Sequence, residues 1–562
     1  MCGIFGFLGK MNTLEILNKL ECLEYRGYDS CGIAYVENDE LFIDKEVGNV
    51  SNLKKNIENK ECMLAICHTR WATHGSVSLL NAHPHTSMNK RFVICHNGMI
   101  DNYKEIKNEY NINTISDTDS EVIVHLLDYL SKSYDTLSSI SIIRKIIKGS
   151  YAIVIIDRNE LNRLYFLKNK SPMLIAKDSN NIMISSDQIA FDYNMEVIVL
   201  CDNDYGYIEN NGLYVFPNDI NRNSFVKNNT TKQIARDKHY LYEEILYQKD
   251  MVIKIGDYYK EIDLSIFNSF LNECDEIVFV GAGSSFYACA ILANYYEVKL
   301  KKRCLFVVAS ELASFNILKN SLFILLSQSG ETADLCNALD IIKNSNSRVV
   351  TLCNNVYSTL AFNSDYVFPL LAQEEISVAS TKAFTAMIYV GRILIDNTFC
   401  NNKLILSKGI AEVIKIKDRI YELAKKIVSK KCIFYIGKGM DYHICQEAAL
   451  KIREVSYLHS YAFLAGELKH GSIALVDEDA IAIAISTDKK DFVSINNSIE
   501  EIKSRKAEVF LLSTVDSNAD FYFPYDMISA IIFVQLLAYY SALLLNRSID
   551  QPRNLAKSVT VL

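Results

Sequence analysis

Glu276-Ile277-Val278-Phe279-Val280-Gly281-Ala282-Gly283-Ser284-Ser285 is an apolar run that breaks into a glycine turn and leads straight into helical spacing over 286–296. A short apolar run closed by glycine reads as a buried strand, and a helix that follows at once makes a strand–turn–helix unit. The same grammar returns at Cys432-Ile433-Phe434-Tyr435-Ile436, which runs into Gly437-Lys438-Gly439 and a helix through 444–455. Each copy is followed by another apolar strand, at 322–326 and at 480–485. Turns and second strands recur about 155–160 residues apart, which marks an internal duplication. Each copy predicts an α/β doubly wound parallel sheet that binds ligands at the carboxyl ends of its strands.

Before this region the pattern differs. Short apolar or alternating runs at 2–8, 31–36, 63–69, 91–95, 152–157 and 164–168 read as strands, with helical spacing at 14–23 and 119–130. Thr118 and Asp119 are cap candidates for the second helix. This mixture predicts an α/β sandwich. The polar stretch 218–238, rich in Asn, Lys and Thr, reads as a linker. The expected organisation is a first domain at 1–217, the linker 218–238, the two copies at 239–400 and 401–548, and a tail at 549–562.

At 562 residues the chain is too long for one core. A content of 49% hydrophobic and 22% charged residues is globular, and the net charge of −8 argues against nucleic acid as a partner. Fifteen cysteines, an odd count without paired spacing, fit reduced thiols in a cytoplasmic location. Glu15 and Glu21 interrupt any early apolar run, so no signal peptide is expected. Residues 528–546 carry no charge and approach spanning length, but Ser529, Gln535, Tyr539, Tyr540 and Ser541 are scattered through them. A buried core helix is the expected reading, with no membrane partner.

Candidate chemistry begins at Met1-Cys2-Gly3-Ile4-Phe5-Gly6. Removal of Met1 would leave Cys2 with a thiol and a free α-amine on one carbon. That amine, with a pKa of about 7.7–8.0, is a general base for its own nucleophile. His68-Thr69-Arg70-Trp71-Ala72-Thr73-His74-Gly75 follows a strand, and an Arg70 fork at a strand end suits a substrate carboxylate. His96-Asn97-Gly98 also reads as following a strand, where an Asn amide beside a Gly N–H makes an oxyanion hole. Asp119 could receive an ammonium. Each has a structural alternative: Arg70 as a salt bridge, Asn97-Gly98 as a turn, Asp119 as a helix cap.

In the first copy, Ser327-Gln328-Ser329-Gly330-Glu331-Thr332 follows an apolar strand and opens a helix, bringing hydroxyls, backbone N–H groups and a helix N-terminus together as a phosphate cradle. Gly283, Ser284 and Ser285, together with Val378-Ala379-Ser380, could add to the same pocket. The second copy has Ser486-Thr487-Asp488 there instead, so one phosphate site is expected. Glu447, Lys451 and Glu454 fall on one helix face at i, i+4 and i+7, among apolar neighbours. Facing a sugar pocket, such groups suit proton shuttling between adjacent carbons; a surface salt-bridge ladder is the alternative.

Cys2–Gly6, Leu23-Glu24-Tyr25-Arg26-Gly27-Tyr28-Asp29-Ser30, the 68–75 motif, Asn81-Ala82-His83-Pro84-His85 and 96–98 resemble the glutaminase domain of class II glutamine amidotransferases, an Ntn-hydrolase-type sandwich. Within that class the chain is similar over its whole length to the glutamine–fructose-6-phosphate aminotransferase family, whose duplicated part is a tandem pair of sugar isomerase (SIS) domains. The resemblance implies that Cys2 attacks the glutamine carboxamide, with Asn97 and Gly98 stabilising the intermediate. Arg70 and Asp119 would hold the glutamine backbone groups, and Trp71, Thr73 and His74 would line the site. It also implies that Glu454 moves the proton between C1 and C2, that His470 opens the sugar ring, and that Lys557 forms a Schiff base with the ketose. The tail Asp550-Gln551-Pro552-Arg553-Asn554-Leu555-Ala556-Lys557 would contribute Ala556 to the sugar site and run beside an ammonia channel.

The expected partners are L-glutamine and D-fructose 6-phosphate, with no metal or organic cofactor because the nucleophiles are side chains. A homodimer through the SIS domains is implied, with His470 serving the neighbouring subunit. Cys31 and Arg453 depart from the pattern, which has a small residue and a Lys there. A phosphoribosylamine-forming amidotransferase would need an acidic pyrophosphate-binding motif after a strand, and none is present. A sugar-phosphate sensor or deglycase would have no use for Cys2 and Lys557 together.

Overall fold

The structure is a computed structural model and describes residues 2–72, 75–178, 181–192, 195–209, 212–217, 225–227, 239–316, 320–345 and 347–559. The chain divides into two compact units, one formed by 1–233 with 556–562 and the other by 234–555.

The first unit begins with β1 (Gly3–Asn12), α1 (Thr13–Glu21), β2 (Ser30–Glu37), β3 (Glu40–Val47), α2 (Val50–Asn56), β4 (Glu61–Arg70), β5 (His85–Thr86) and β6 (Phe92–Ile100). Helices α3 (Tyr103–Glu109), α4 (Ser120–Leu130) and α5 (Thr136–Ile146) follow, then β7 (Gly149–Asp157) and β8 (Arg163–Asn169). It closes with β9 (Leu174–Lys177), β10 (Ile182–Ser185), β11 (Glu196–Val199), β12 (Tyr205–Glu209), β13 (Gly212–Phe216) and β14 (Phe225–Lys227). They form an eight-stranded sheet in the order β14-β11-β9-β10-β1-β4-β2-β3 and a six-stranded sheet in the order β13-β12-β8-β7-β6-β5. Neighbouring strands are antiparallel, as in β1 with β4 and β6 with β7.

The period-two alternation of a strand builds four layers. Along β1, Ile4 and Leu8 face inward onto Val93, Cys95, Val154 and Phe166 of the second sheet. Phe5 and Phe7 point the other way, onto Ile16, Leu17 and Leu20 of α1. On the far side Ile94, Ile153 and Ile155 pack against Ile123, Leu126 and Leu127 of α4 and Ile140 and Ile143 of α5. Both faces of each sheet are covered, so the strands read as near-continuous apolar runs. Two expectations need adjusting. Strand β6 runs through His96-Asn97-Gly98 instead of ending before them, because pairing with β7 continues to Ile100 opposite Gly149. The stretch read as a linker supplies β14, which pairs with β11; its remaining residues lie outside the described ones.

The second unit opens with α6 (Tyr240–Lys260) and α7 (Ser265–Glu273), then β15 (Glu276–Gly281), α8 (Ser284–Leu300), β16 (Cys304–Val308), β17 (Ser321–Ser327), α9 (Ala333–Lys343), β18 (Arg348–Cys353), α10 (Thr359–Phe362), β19 (Tyr366–Pro369) and α11 (Lys382–Ile395). After α12 (Lys403–Lys415) and α13 (Lys417–Val428) the pattern repeats as β20 (Cys432–Gly437), α14 (Met440–Ser456), β21 (Ser460–Leu464), β22 (Ala480–Ser486), α15 (Lys489–Lys503), β23 (Glu508–Ser513), β24 (Phe521–Tyr522) and α16 (Met527–Leu544).

Both sheets are parallel, with equivalent strand orders β16-β15-β17-β18-β19 and β21-β20-β22-β23-β24. The duplication reaches the backbone angles. Gly283 has φ 55 and ψ −130, and Gly439 has φ 57 and ψ −130, a conformation that favours glycine. The helix after each is 17 residues long and ends in a left-handed residue, Lys301 or Tyr457.

Helix α16 is long and apolar enough to cross a bilayer, but it is buried along nearly its whole length inside the unit. It is apolar all round because it is enclosed all round. Gln248 Nε2 donates to Gln535 Oε1 at 2.7 Å, and Gln535 Nε2 donates to the Thr381 carbonyl at 3.1 Å. Leu537→Ala, at a fully buried site in α16, is expected to lower the unfolding free energy by about 2–5 kcal/mol in urea denaturation. Exposed Val493→Ala should stay within about 0.5 kcal/mol of the parent.

Candidate active site

In the first unit the residues around Cys2 are gathered by β1, β4 and β6. The Trp71 backbone N–H donates to Cys2 Sγ at 3.4 Å, and Asn97 Nδ2 donates to the Cys2 carbonyl at 2.9 Å. Asn97 Oδ1 is buried without a hydrogen-bond partner among the described residues. Burial pushes the Cys2 thiol up, while the terminal ammonium, the Trp71 N–H and Arg70 pull it down. Gly98 has φ +116, and a Cβ there would meet the Ser150 carbonyl at 1.9 Å. Position 98 therefore admits glycine only, and β6 passes close to β7 beside Asn97. His68 Nε2 meets the His96 carbonyl at 3.0 Å, tying β4 to β6 one residue before Asn97.

Arg70 is the last residue of β4 and is buried; its Nη1 donates to the Ser76 carbonyl at 3.3 Å. Asp119 stands at the N-cap position of α4 but does not cap it. Its Oδ2 instead accepts the Ile100 N–H at 2.8 Å, pinning the end of β6. Thr73 and His74 lie outside the described residues. Asp29 is a residue whose part sequence reasoning missed: its Oδ2 accepts the Ala72 N–H at 2.8 Å while its own N–H donates to the Arg70 carbonyl at 2.9 Å. It brackets Trp71, and the only sequence signal was its place in the 23–30 motif.

In the second unit the turn after β17 is braced from within. Ser327 Oγ accepts the Gly330 N–H at 2.9 Å and lies 3.5 Å from Thr332 Oγ1, and Ser329 Oγ accepts the Glu331 N–H at 3.1 Å. The segment carrying Val378, Ala379 and Ser380 is held by two buried carboxylates that sequence reasoning did not single out. Glu244 accepts the Ser377 N–H at 3.3 Å. Glu375 accepts the Thr381 N–H at 2.8 Å, the Ala383 N–H at 3.1 Å and the Ser380 hydroxyl at 3.2 Å. The Val378 N–H donates to the Asp550 carbonyl at 3.0 Å, so the beginning of the tail is anchored here. The Asp550 carboxylate accepts the N–H groups of Tyr240 and Leu241 at 2.9 and 2.8 Å.

On α14, Lys451 Nζ lies 3.4 Å from Glu447 Oε1 and also pairs with Glu454. Glu447 and Lys451 are buried, so this is not a surface ladder. Burial pushes the Glu447 carboxyl up to about 7 against the pull of Lys451. The two carboxylates hold the Lys451 ammonium above its ordinary range despite burial, which keeps it protonated and unsuited to be a nucleophile. The structure brings Ser284 to the first turn of α8, which packs against α14. His470 is exposed on a separate turn, Leu468–His470, and shares no hydrogen bond or ion pair with the triad among the described residues. Ala556 and Lys557 group with the first unit.

A thiol residue held by an amide donor in one unit, and a hydroxyl-lined turn and a buried carboxylate–ammonium stripe in the other, fit a glutamine amidotransferase joined to sugar isomerase domains. The model of class-II glutamine amidotransferases matches residues 1–171, and that of the SIS domain matches 270–396 and 426–545. The chain is 36% identical over 605 aligned positions to the glutamine–fructose-6-phosphate aminotransferase (isomerizing) of Oceanobacillus iheyensis and 35% identical over 600 to that of Bacillus subtilis, covering 100% of both chains in each case. The C-terminal domain of glucosamine-fructose-6-phosphate aminotransferase from Francisella tularensis superposes with a TM-score of 0.53 at 27% identity, over 57% of this chain and 100% of that one. The chain belongs to the glutamine–fructose-6-phosphate aminotransferase (isomerizing) family.

Lys451→Met leaves the buried Glu447 carboxylate and the partly exposed Glu454 carboxylate without their cation. Unfolding in urea should show a loss of about 3–5 kcal/mol, the range for breaking a buried pair.

Proposed function

We propose that the chain transfers the amide nitrogen of L-glutamine to D-fructose 6-phosphate with isomerisation, giving D-glucosamine 6-phosphate and L-glutamate. The observation that supports this is the presence in one chain of Cys2 held by the Asn97 amide, a serine-braced turn at Ser327–Thr332 and a buried Glu447–Lys451 pair. Neither a simple glutaminase nor a simple isomerase needs all three.

In this reading Cys2, freed of Met1, attacks the carboxamide carbon with its α-amine as base. Negative charge develops on the amide oxygen, to be met by Asn97 Nδ2 and the Gly98 N–H, with Arg70 and Asp119 on the glutamine backbone groups and Trp71, Thr73 and His74 around them. Ammonia leaves, and water releases glutamate from the thioester. Gly283, Ser284, Ser285, Ser327, Gln328, Ser329, Thr332, Val378, Ala379, Ser380 and Ala556 hold the sugar phosphate. His470 opens the ring, Lys557 condenses with the C2 ketone with loss of water, ammonia adds at C2 and expels the Lys557 amine, and Glu454 carries the proton from C1 to C2 of the resulting imine beside Glu447 and Lys451.

The protonated state of Lys451 supports Lys557 as the imine-forming amine. Fifteen cysteines, none of them in a disulfide among the described residues, support a reducing, cytoplasmic setting. Exposed Phe306 and Val308 on β16, and Tyr461 and Leu464 on β21, support a homodimer through the SIS domains.

Cys2→Ala should abolish glutamate release from glutamine while conversion of fructose 6-phosphate to glucose 6-phosphate survives, as a coupled assay of each product can show. Persisting glutaminase turnover would remove Cys2 from the mechanism. Borohydride added with fructose 6-phosphate should fix the sugar to Lys557, detected by mass spectrometry of the C-terminal peptide. Label on Lys451 would exchange the two roles. Lys557→Arg keeps the charge but cannot form the imine, so glucosamine 6-phosphate should vanish while glutaminase activity remains.

A further inference from the structure

The two copies share a turn but treat its anion site differently. In the first, β17 ends at Ser327 and five residues, 328–332, precede α9. In the second, β22 ends at Ser486 and only two residues, 487–488, precede α15. Ser327 braces its turn through the Gly330 N–H, whereas Ser486 Oγ is fully buried and has no hydrogen-bond partner among the described residues. Two residues beyond Gly283 stands Ser285; two residues beyond Gly439 stands Asp441.

Asp441 is 1% exposed, and its carboxylate occupies the second turn. Oδ2 accepts the Thr487 N–H at 2.7 Å, and Oδ1 accepts the Thr487 hydroxyl at 2.5 Å. Asp488 caps α15 by accepting the Lys490 N–H at 3.0 Å. Two backbone donors at the β22–α15 turn, the Thr487 and Lys490 N–H groups, are thus met by the chain's own carboxylates, whereas the Gly330 and Glu331 N–H groups of the first copy's turn are met by neutral serine hydroxyls that leave room for an anion's charge. Burial pushes the Asp441 carboxyl up to about 7, with Asp491 and Asp488 adding to the rise, so it is ionised above neutral pH.

We infer that Asp441 is a built-in anion that closes the second copy's cradle, leaving one phosphate site per chain, and that it holds the start of α14 to β22 without a ligand. The inference rests on reading the Ser327–Thr332 turn as the phosphate site. The α14 helix carries Glu447, Lys451 and Glu454, so its start is fixed before any sugar arrives. At α8, by contrast, the corresponding bridge to the β17 turn would come from the substrate's phosphate.

The test counts inorganic phosphate bound to the full-length chain at pH 8 by equilibrium dialysis, with and without fructose 6-phosphate. The unaltered chain should bind one phosphate, displaced by the sugar. Asp441→Ser, which installs the residue of the first copy, should double the bound phosphate, and the added one should resist fructose 6-phosphate. A folded Asp441→Ser chain, judged by an unchanged far-ultraviolet circular dichroism spectrum and a cooperative urea transition of the second unit, that still binds one phosphate overturns the inference. So does a second, sugar-resistant phosphate on the unaltered chain, a measurement that stands even where Asp441→Ser does not fold. A single phosphate on the unaltered chain that the sugar fails to displace refutes the reading of the first cradle instead.

Discussion

The ammonium of Lys451, buried between the carboxylates of Glu447 and Glu454, is the constraint on which the second unit turns. A charge removed from water must be paired, and these three can pair only while α14 stays helical over 447–454 and its polar stripe stays covered. Ala448, Ala449, Ile452 and Val455 on the rest of the helix are buried in the unit's main core, which fixes the rotation of the helix. That core is completed by α16, whose uncharged surface packs in the interior of the unit. The position of the stripe, the enclosed helix and the packing of α8 on α14 are therefore consequences of one another.

The first unit solves a different problem. A thiol nucleophile needs donors set at the atom where charge will develop, and loops alone hold such positions poorly. Here the donor side chain of Asn97 projects from within a paired strand, and the left-handed Gly98 lets that strand run against the Ser150 carbonyl. The His68–His96 bond, the Asp119–Ile100 bond and the Asp29 bracket around Trp71 each fasten one side of the same small volume. The loop at 71–72 is irregular, yet its backbone is tied on both sides of Trp71.

Duplication followed by divergence accounts for the rest of the second unit. The glycine turns at 283 and 439 keep nearly identical dihedrals, in a region of conformation that favours glycine. What changed is the next connection, from five residues to two, and with it the orphaned Ser486 hydroxyl and the carboxylate of Asp441. The copy with the longer turn carries the hydroxyls of Ser327, Ser329 and Thr332, and the copy with the shorter one carries the Glu447–Lys451–Glu454 stripe.

Much of this was legible in the sequence. Apolar runs of strand length, glycine at each strand end and the repeat of both units are local signals, so the two parallel sheets and the α/β sandwich followed from periodicity, while the antiparallel pairing of the sandwich did not. The buried character of the 447–454 face also followed, because its neighbours along the helix are apolar. Other features depend on contacts between distant segments, which no local pattern encodes. Strand β6 was expected to stop before His96, since nothing in the sequence says that β7 pairs on to Gly149. Asp119 looked like a helix cap, but its oxygen is drawn to the Ile100 N–H, 19 residues away. Asp29, Glu375 and Asp441 were unremarkable as single acidic residues. Only the packed chain brings Asp441 to Thr487 across 46 residues, and a buried backbone N–H there must be paired in any fold that excludes water.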